Sequence, residues 1–181
     1  SVSVATINGV NQYLKLRHKE VISVDPSSGK LLWQHEFPGR TAVMGTPLVC
    51  DDLVYLASGY GVGCLALRVS SSGASEVYSN KAMGSFWGGT CFARGLVVGH
   101  DGFKGLRCQD LTSGEPCWSD KQTFAGGGAM VFADDRLYVF LPQGMEVLLV
   151  DFDSEGFRVT GKVCLDPIAE TEDPAFTQLP R

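Results

Sequence analysis

Apolar positions in this chain fall either at every second residue or in short unbroken runs, and glycine interrupts every window long enough for a helix. Alternation with a period of two lays one face of a strand on a core, whereas a helix needs apolar residues three and four apart. No amphipathic helix of ordinary length fits anywhere, so the pattern predicts an all-β protein. Tight polar turns separate the runs: Asn8-Gly9 after Thr6-Ile7, Asp51-Asp52 between Leu48 and Tyr55, Arg94-Gly95 between Phe92 and Val98, and Asp134-Asp135 between Val131 and Phe140. Asn-Gly between two extended runs is among the strongest short-range hairpin signals, because both residues tolerate positive φ.

A second kind of hairpin alternates with the first. Ser23 to Trp33 reads SVDPSSGKLLW, and Cys108 to Trp118 reads CQDLTSGEPCW. In both, the Asp can cap nearby amides and the Gly can supply positive φ, so two strands meet at a built turn. Two weaker copies, CLALRVSSSGASEVY and VLLVDFDSEGFRV, put Arg68 and Asp151 at the Asp position and Tyr78 and Val159 at the closing position. The copies recur roughly every 42 residues, a spacing that marks repeat architectures. Two hairpins per period give four strands per unit, with units over residues 1–39, 40–82, 83–125 and 126–165. Residues 166–181 are acidic and interrupted by Pro167 and Pro174, and fit a tail, a capping strand or the start of a further unit. Four-stranded units of this size read as β-propeller blades, here about four antiparallel ones, a partial or half propeller. One blade cannot bury both its faces alone, so Trp33, Trp118 and Tyr78 are expected between blades.

The frame Ser23, Asp25, Ser28, Gly29, Trp33, repeated as Cys108, Asp110, Ser113, Gly114, Trp118, resembles the tryptophan-docking motif of quinoprotein-type propellers. That family includes pyrroloquinoline-quinone alcohol dehydrogenases and non-catalytic BamB-like proteins of outer-membrane assembly. INGVNQY and SGYGVGCLAL have counterparts in PQQ-like-repeat proteins, and the resemblance covers about residues 1–165. It implies that each motif Trp packs over the turn glycine of the adjacent blade, making Gly29, Trp33, Gly114 and Trp118 structural. Family rings usually hold seven or eight blades, so this chain would need a second copy, further chain, or an unusually small ring. The quinone enzymes carry adjacent cysteines, and no two of the six here are adjacent. The resemblance therefore implies no quinone cofactor.

Composition narrows the partners. A formal charge of −5 leaves no basic stripe to displace counterions from phosphates, so no nucleic-acid partner is expected. No apolar run approaches the length of a membrane span. The chain opens directly on a strand without a signal-peptide pattern, as a mature chain or an excised piece would. An extracytoplasmic, periplasmic or secreted location is what the family resemblance implies.

Candidate chemistry is sparse. Cys50, Cys64, Cys91, Cys108, Cys117 and Cys164 show no C-x-x-C spacing, so no metal site is expected. A hairpin centred on Thr112-Ser113 would set Cys108 opposite Cys117, a candidate disulfide if their Cα atoms come within about 7 Å. The other reading is six small buried hydrophobes. His18, His35 and His100 are scattered, and His100-Asp101-Gly102 reads as a turn. Gly126-Gly127-Gly128 lacks the Lys-Ser/Thr and helix of a phosphate loop. With Gly45 and Gly89 it precedes an inner strand, where close approach around a crowded axis would require glycine. Tyr60, Phe86, Trp87 and Phe103 lie in or beside Gly-rich loops, as a protein-binding face or as core.

With no paired base and nucleophile, metal cluster or cofactor fingerprint, the sequence supports a non-catalytic binding or scaffold module with a protein partner. A homodimer closing one ring is one form of it. The alternatives are a fragment of a quinoprotein dehydrogenase-type enzyme and a structural part of a larger propeller.

Overall fold

The computed structural model describes residues 1–86 and 89–165, with Phe103 by its backbone only, so Trp87 and the 166–181 segment lie outside the described residues. The described residues are all-β, as the alternation predicts, and form four four-stranded antiparallel sheets. Blade 1 holds β1 (Ser3–Ile7), β2 (Val10–Leu16), β3 (Glu20–Val24) and β4 (Leu31–Glu36). Blade 2 holds β5 (Leu48–Cys50), β6 (Leu53–Ser58), β7 (Gly63–Ser70) and β8 (Gly73–Asn80). Blade 3 holds β9 (Thr90–Ala93), β10 (Leu96–His100), β11 (Leu106–Asp110) and β12 (Pro116–Asp120). Blade 4 holds β13 (Met130–Ala133), β14 (Arg136–Leu141), β15 (Glu146–Phe152) and β16 (Phe157–Cys164). In every blade the strands lie side by side in sequence order.

The first hairpins of blades 1, 3 and 4 close through two left-handed residues each, and that of blade 2 has Asp51 alone at positive φ, 52°. Asn8 and Gly9 have φ of 51° and 78°, Arg94 and Gly95 54° and 79°, and Asp134 and Asp135 48° and 60°. Positive φ at both central residues matches the right-handed twist of the flanking strands. The glycines before the inner strands have a different cause from axial crowding. A Cβ on Gly45 would stand 2.4 Å from the Ala57 carbonyl oxygen, and one on Gly128 1.7 Å from that of Phe140, so each passes against its own blade's second strand. Gly89 has open space and is left-handed instead, with φ of 73°.

Three cores join the four blades. Leu14, Leu16, Val21 and Trp33 of blade 1 pack on Val54, Leu56, Leu65 and Leu67 of blade 2. The opposite face of blade 2 offers Tyr55, Cys64 and Ala66 to Val97 and Leu111 of blade 3. Val98, Leu106 and Cys108 of blade 3 meet Leu137, Val139 and Val150 of blade 4. Among the described residues the arc is not closed. Blade 1 turns Val4 and Tyr13 outward, 76% and 41% exposed, and blade 4 turns out Val131 and Val163, 56% and 59% exposed.

Candidate functional site

All four blades break register at the same place, between their third and fourth strands. The shift lies between Ser23 and Val24, Ala66 and Leu67, Cys108 and Gln109, and Leu149 and Val150. Two residues of the outer strand then oppose one on the inner, which kinks the edge and re-aims a side chain. The residue paired just before the shift is Trp33, Tyr78, Trp118 or Gly161. The fourth closing position is therefore Gly161 and not Val159, because β15 and β16 run past Asp151, which pairs with Arg158, and turn at Asp153.

The bulge also changes the cysteine pairing. Cys108 pairs with Trp118, and Cys117 is the extra residue of the bulge. Both cysteines are free thiols here, Cys108 buried and Cys117 half-buried in the blade 3–4 core. Burial, with the Cys117 thiol beside it, pushes the Cys108 thiol up to about 12.

The turns themselves are built alike. Asp25 Oδ1 accepts the amides of Ser27 and Ser28 at 3.0 and 2.7 Å and both their hydroxyls at 2.6 and 2.8 Å. Asp110 Oδ1 accepts the amides of Thr112 and Ser113 at 2.9 and 2.7 Å and the Ser113 hydroxyl at 2.9 Å. Gly29 and Gly114 finish the turns at φ of 70° and 78°. The Ser27 hydroxyl first, then Ser28, hold the Asp25 carboxyl down at about 2, and the Ser113 amide lowers that of Asp110. The fold thus favours the ionised forms. Their stabilising effect is full above the ordinary pKa of about 4 and fades as pH falls, through about 2 for Asp25. The difference in urea midpoint between parent and Asp25→Ala is expected to be widest above about pH 4 and to close by about pH 2. A difference independent of pH would show that the charge plays no part.

The outer turns of blades 3 and 4 each receive an aromatic from the preceding blade. Tyr78 donates its hydroxyl to the Leu111 carbonyl at 2.8 Å, and its ring covers Gly114, where a Cβ would stand 2.6 Å away. Trp118 donates Nε1 to the Asp153 carbonyl at 2.7 Å, with its ring 5.3 Å from Phe157. Trp33 instead donates to Gln12 Oε1 in its own blade at 2.8 Å, an oxygen that also accepts from Ser23 Oγ at 2.6 Å. Blade 2 has no Asp at its turn, where Ser70 pairs with Gly73, and a cavity of about 450 Å³ between Leu32, Trp33, Val69 and Ser70 stands beside it.

Two polar links were not legible as sites. Gln109, fully buried, accepts from Tyr55 Oη at 2.8 Å and donates Nε2 to the Gly114 carbonyl at 2.6 Å. Arg94 reaches from the blade 3 turn to Asp135 at 2.6 Å and donates to the Phe152 carbonyl at 2.7 Å, clamping blades 3 and 4. Neither type of residue has a sequence signature beyond its turn or strand. His100 ends β10 fully buried, with Nε2 2.7 Å from the Phe124 carbonyl. Asp101, 5% exposed, turns the chain and pairs with Lys104 and Arg107 at 3.2 and 3.6 Å. The Tyr60 and Phe86 rings pack at a tilt of 59° with centroids 5.0 Å apart, and Tyr60 is 44% exposed. Trp87 and the Phe103 side chain lie outside the described residues.

Among the described residues no three His, Cys, Asp or Glu side chains gather to hold a metal ion. No helix among the described residues is long and apolar enough to cross a membrane.

The fold has many solved counterparts. The crystal structure of BamB from Moraxella catarrhalis superposes with a TM-score of 0.55 at 16% identity, over 84% of this chain and 46% of that one. Quinohemoprotein alcohol dehydrogenase from Comamonas testosteroni gives 0.61 at 12%, over 86% of this chain and 34% of that one. The computationally designed Ika4 protein gives 0.59 at 14%, over 79% and 86%. At these identities the likeness is one of fold, and the chain spans less than half the length of either natural protein. No individual curated protein matches the sequence. The profile of the family described as outer membrane protein assembly factor BamB matches residues 1–120. By that match, and by its four blades and their repeated docking turns, the chain belongs to the BamB-type family of PQQ-repeat proteins.

Proposed function

We propose that this chain is a non-catalytic binding and scaffold module whose partners are proteins. The observation that carries the reading is the pair of apolar sheet faces at the ends of the arc, with Val4 and Val131 76% and 56% exposed. Contiguous exposed apolar surface marks interaction sites in soluble proteins. Two ways of covering the faces are a second copy, which would join two half-rings, and further blades from elsewhere. A structural part of a larger propeller is the limiting case of the second.

The rival reading, part of a quinoprotein dehydrogenase, is favoured by the fold of the Comamonas enzyme. The test is to incubate the protein with pyrroloquinoline quinone and calcium, wash it, and record its spectrum. The binding reading expects no retained quinone absorbance. Stoichiometric retention would overturn it in favour of the enzyme.

The family description points to an extracytoplasmic setting, which is proposed on that basis alone. There, an oxidising thiol–disulfide partner would take two electrons and two protons from Cys108 and Cys117 as the Sγ–Sγ bond forms. Alkylation of the unfolded, unreduced native protein is expected to label two fewer than its six cysteines. Labelling of all six would remove the disulfide proposal.

A further inference from the structure

The cavity at the rim between blades 1 and 2 holds about 450 Å³, within the range of small-molecule sites. Its walls come from two adjacent blades of the arc. Alternation along β2 puts Val10 on the face of Gln12, Leu14 and Leu16, toward blade 2, yet Val10 is 46% exposed where the other three are buried. Leu32, the unpaired residue of the blade 1 bulge, is 40% exposed against the same space. A bond of 2.8 Å from Asn8 Nδ2 to the Val69 carbonyl fixes the two walls against each other. The space is therefore preformed.

Its lining sets the chemistry of an occupant. No ionisable side chain borders this cavity, whereas Arg94 and Asp151 line the one at the blade 4 rim and Lys81 and Arg107 the one beside Trp118. A charged ligand would give up its hydration here without a counter-charge, so a neutral one fits. Val10, Leu32 and Val69 offer apolar walls, and the indole of Trp33 favours a ring as the group packed on it.

Gln12, 2% exposed, supplies the polar contact. Trp33 Nε1 can only donate, so the Gln12 atom that it and Ser23 Oγ meet is the amide oxygen. The amide orientation is thereby fixed. Its nitrogen carries two hydrogens and makes one bond among the described residues, a long one of 3.4 Å to the Val10 carbonyl. A buried donor with a hydrogen to spare calls for an acceptor.

We propose that this cavity binds a small neutral aromatic molecule, its ring against Trp33 and Leu32 and a carbonyl oxygen accepting the second hydrogen of Gln12 Nε2. The site goes beyond the protein-binding reading and does not depend on it.

Acetophenone, one ring with one carbonyl acceptor, is the probe, and ethylbenzene, similar in shape without the acceptor, is its control. Each is titrated into the isotope-labelled full chain and followed by nuclear magnetic resonance. Acetophenone is expected to move the Gln12 side-chain amide and Trp33 indole signals saturably. It should bind roughly fivefold more tightly than ethylbenzene, about what one neutral hydrogen bond supplies. Val10→Trp fills the cavity from its half-exposed wall and is expected to weaken acetophenone at least about tenfold, as a pocket whose volume is taken up must. Leu32→Trp fills it from the other side and serves where the first variant does not fold, which circular dichroism melts establish. No saturable movement of the two signals, or a folded filling variant that binds acetophenone as well as the parent, would overturn the site. Equal binding of the two probes would overturn the role of Gln12 in it.

Discussion

Trp33→Ala is expected to lower the unfolding free energy by about 3–5 kcal/mol, the usual cost of emptying a buried Trp site. The indole is 7% exposed and closes the blade 1–2 core over Leu14, Leu16 and Leu67. Its loss also leaves Gln12 Oε1 with Ser23 Oγ as its remaining donor. A domain of this size has a net stability of about 5–15 kcal/mol, so the variant sits near the limit of folding. Urea melts followed by circular dichroism are expected to show a much lower midpoint with the parent slope. Trp118→Ala should cost less, because that ring is only half-buried and bonds a turn carbonyl at the rim. Equal losses for the two would mean that burial in the blade 1–2 core is not the source of the effect.

The second large effect is polar. Gln109→Leu is expected to cost about 1–3 kcal/mol, the range for a buried group left without its partner. The group in question is the Tyr55 hydroxyl, whose residue is 1% exposed and which donates to Gln109 Oε1. The Gly114 carbonyl would keep its bond from Asn80 Nδ2, and the Cys64 thiol its bond to Asn80 Oδ1, so neither is stranded. Adding Tyr55→Phe removes the stranded hydroxyl and is expected to recover much of the loss. In the parent background the same Tyr55→Phe change should be destabilising, by about 0.5–1.5 kcal/mol. That reversal of sign is the signature of direct coupling in a double-mutant cycle. Simple additivity of the two changes would show that the blade 2–3 link does not run through this bond.

The architecture was readable because its parts are local. Asn8-Gly9, Arg94-Gly95 and Asp134-Asp135 announce hairpins through residues that accept positive φ, and the Asp25 and Asp110 turns announce the outer ones. Spacing then counts the blades. What stayed hidden depends on atoms that meet across the fold. A hairpin centred on Thr112-Ser113 sets Cys108 against Cys117 only if the strands pair without interruption, and the bulge moves that pairing to Trp118. The same kind of shift, after a longer hairpin, puts Gly161 where the sequence pattern suggested Val159. Gln12 and Gln109 look like ordinary strand residues, yet each is buried as an acceptor for an aromatic donor. The need for glycine at Gly45 and Gly128 is set by carbonyls on neighbouring strands rather than by the ring axis.

Because each sheet is laid down by four consecutive strands and, among the described residues, none lends a strand to its neighbour, the arc has no topological commitment to its length. A blade can be appended or lost at either end without rethreading the rest, much as beads are added to a string. Gene duplication in such a lineage changes a count, not a topology. The constraint that remains falls on the two ends, where an added blade must find an aromatic to receive or a turn to give it to.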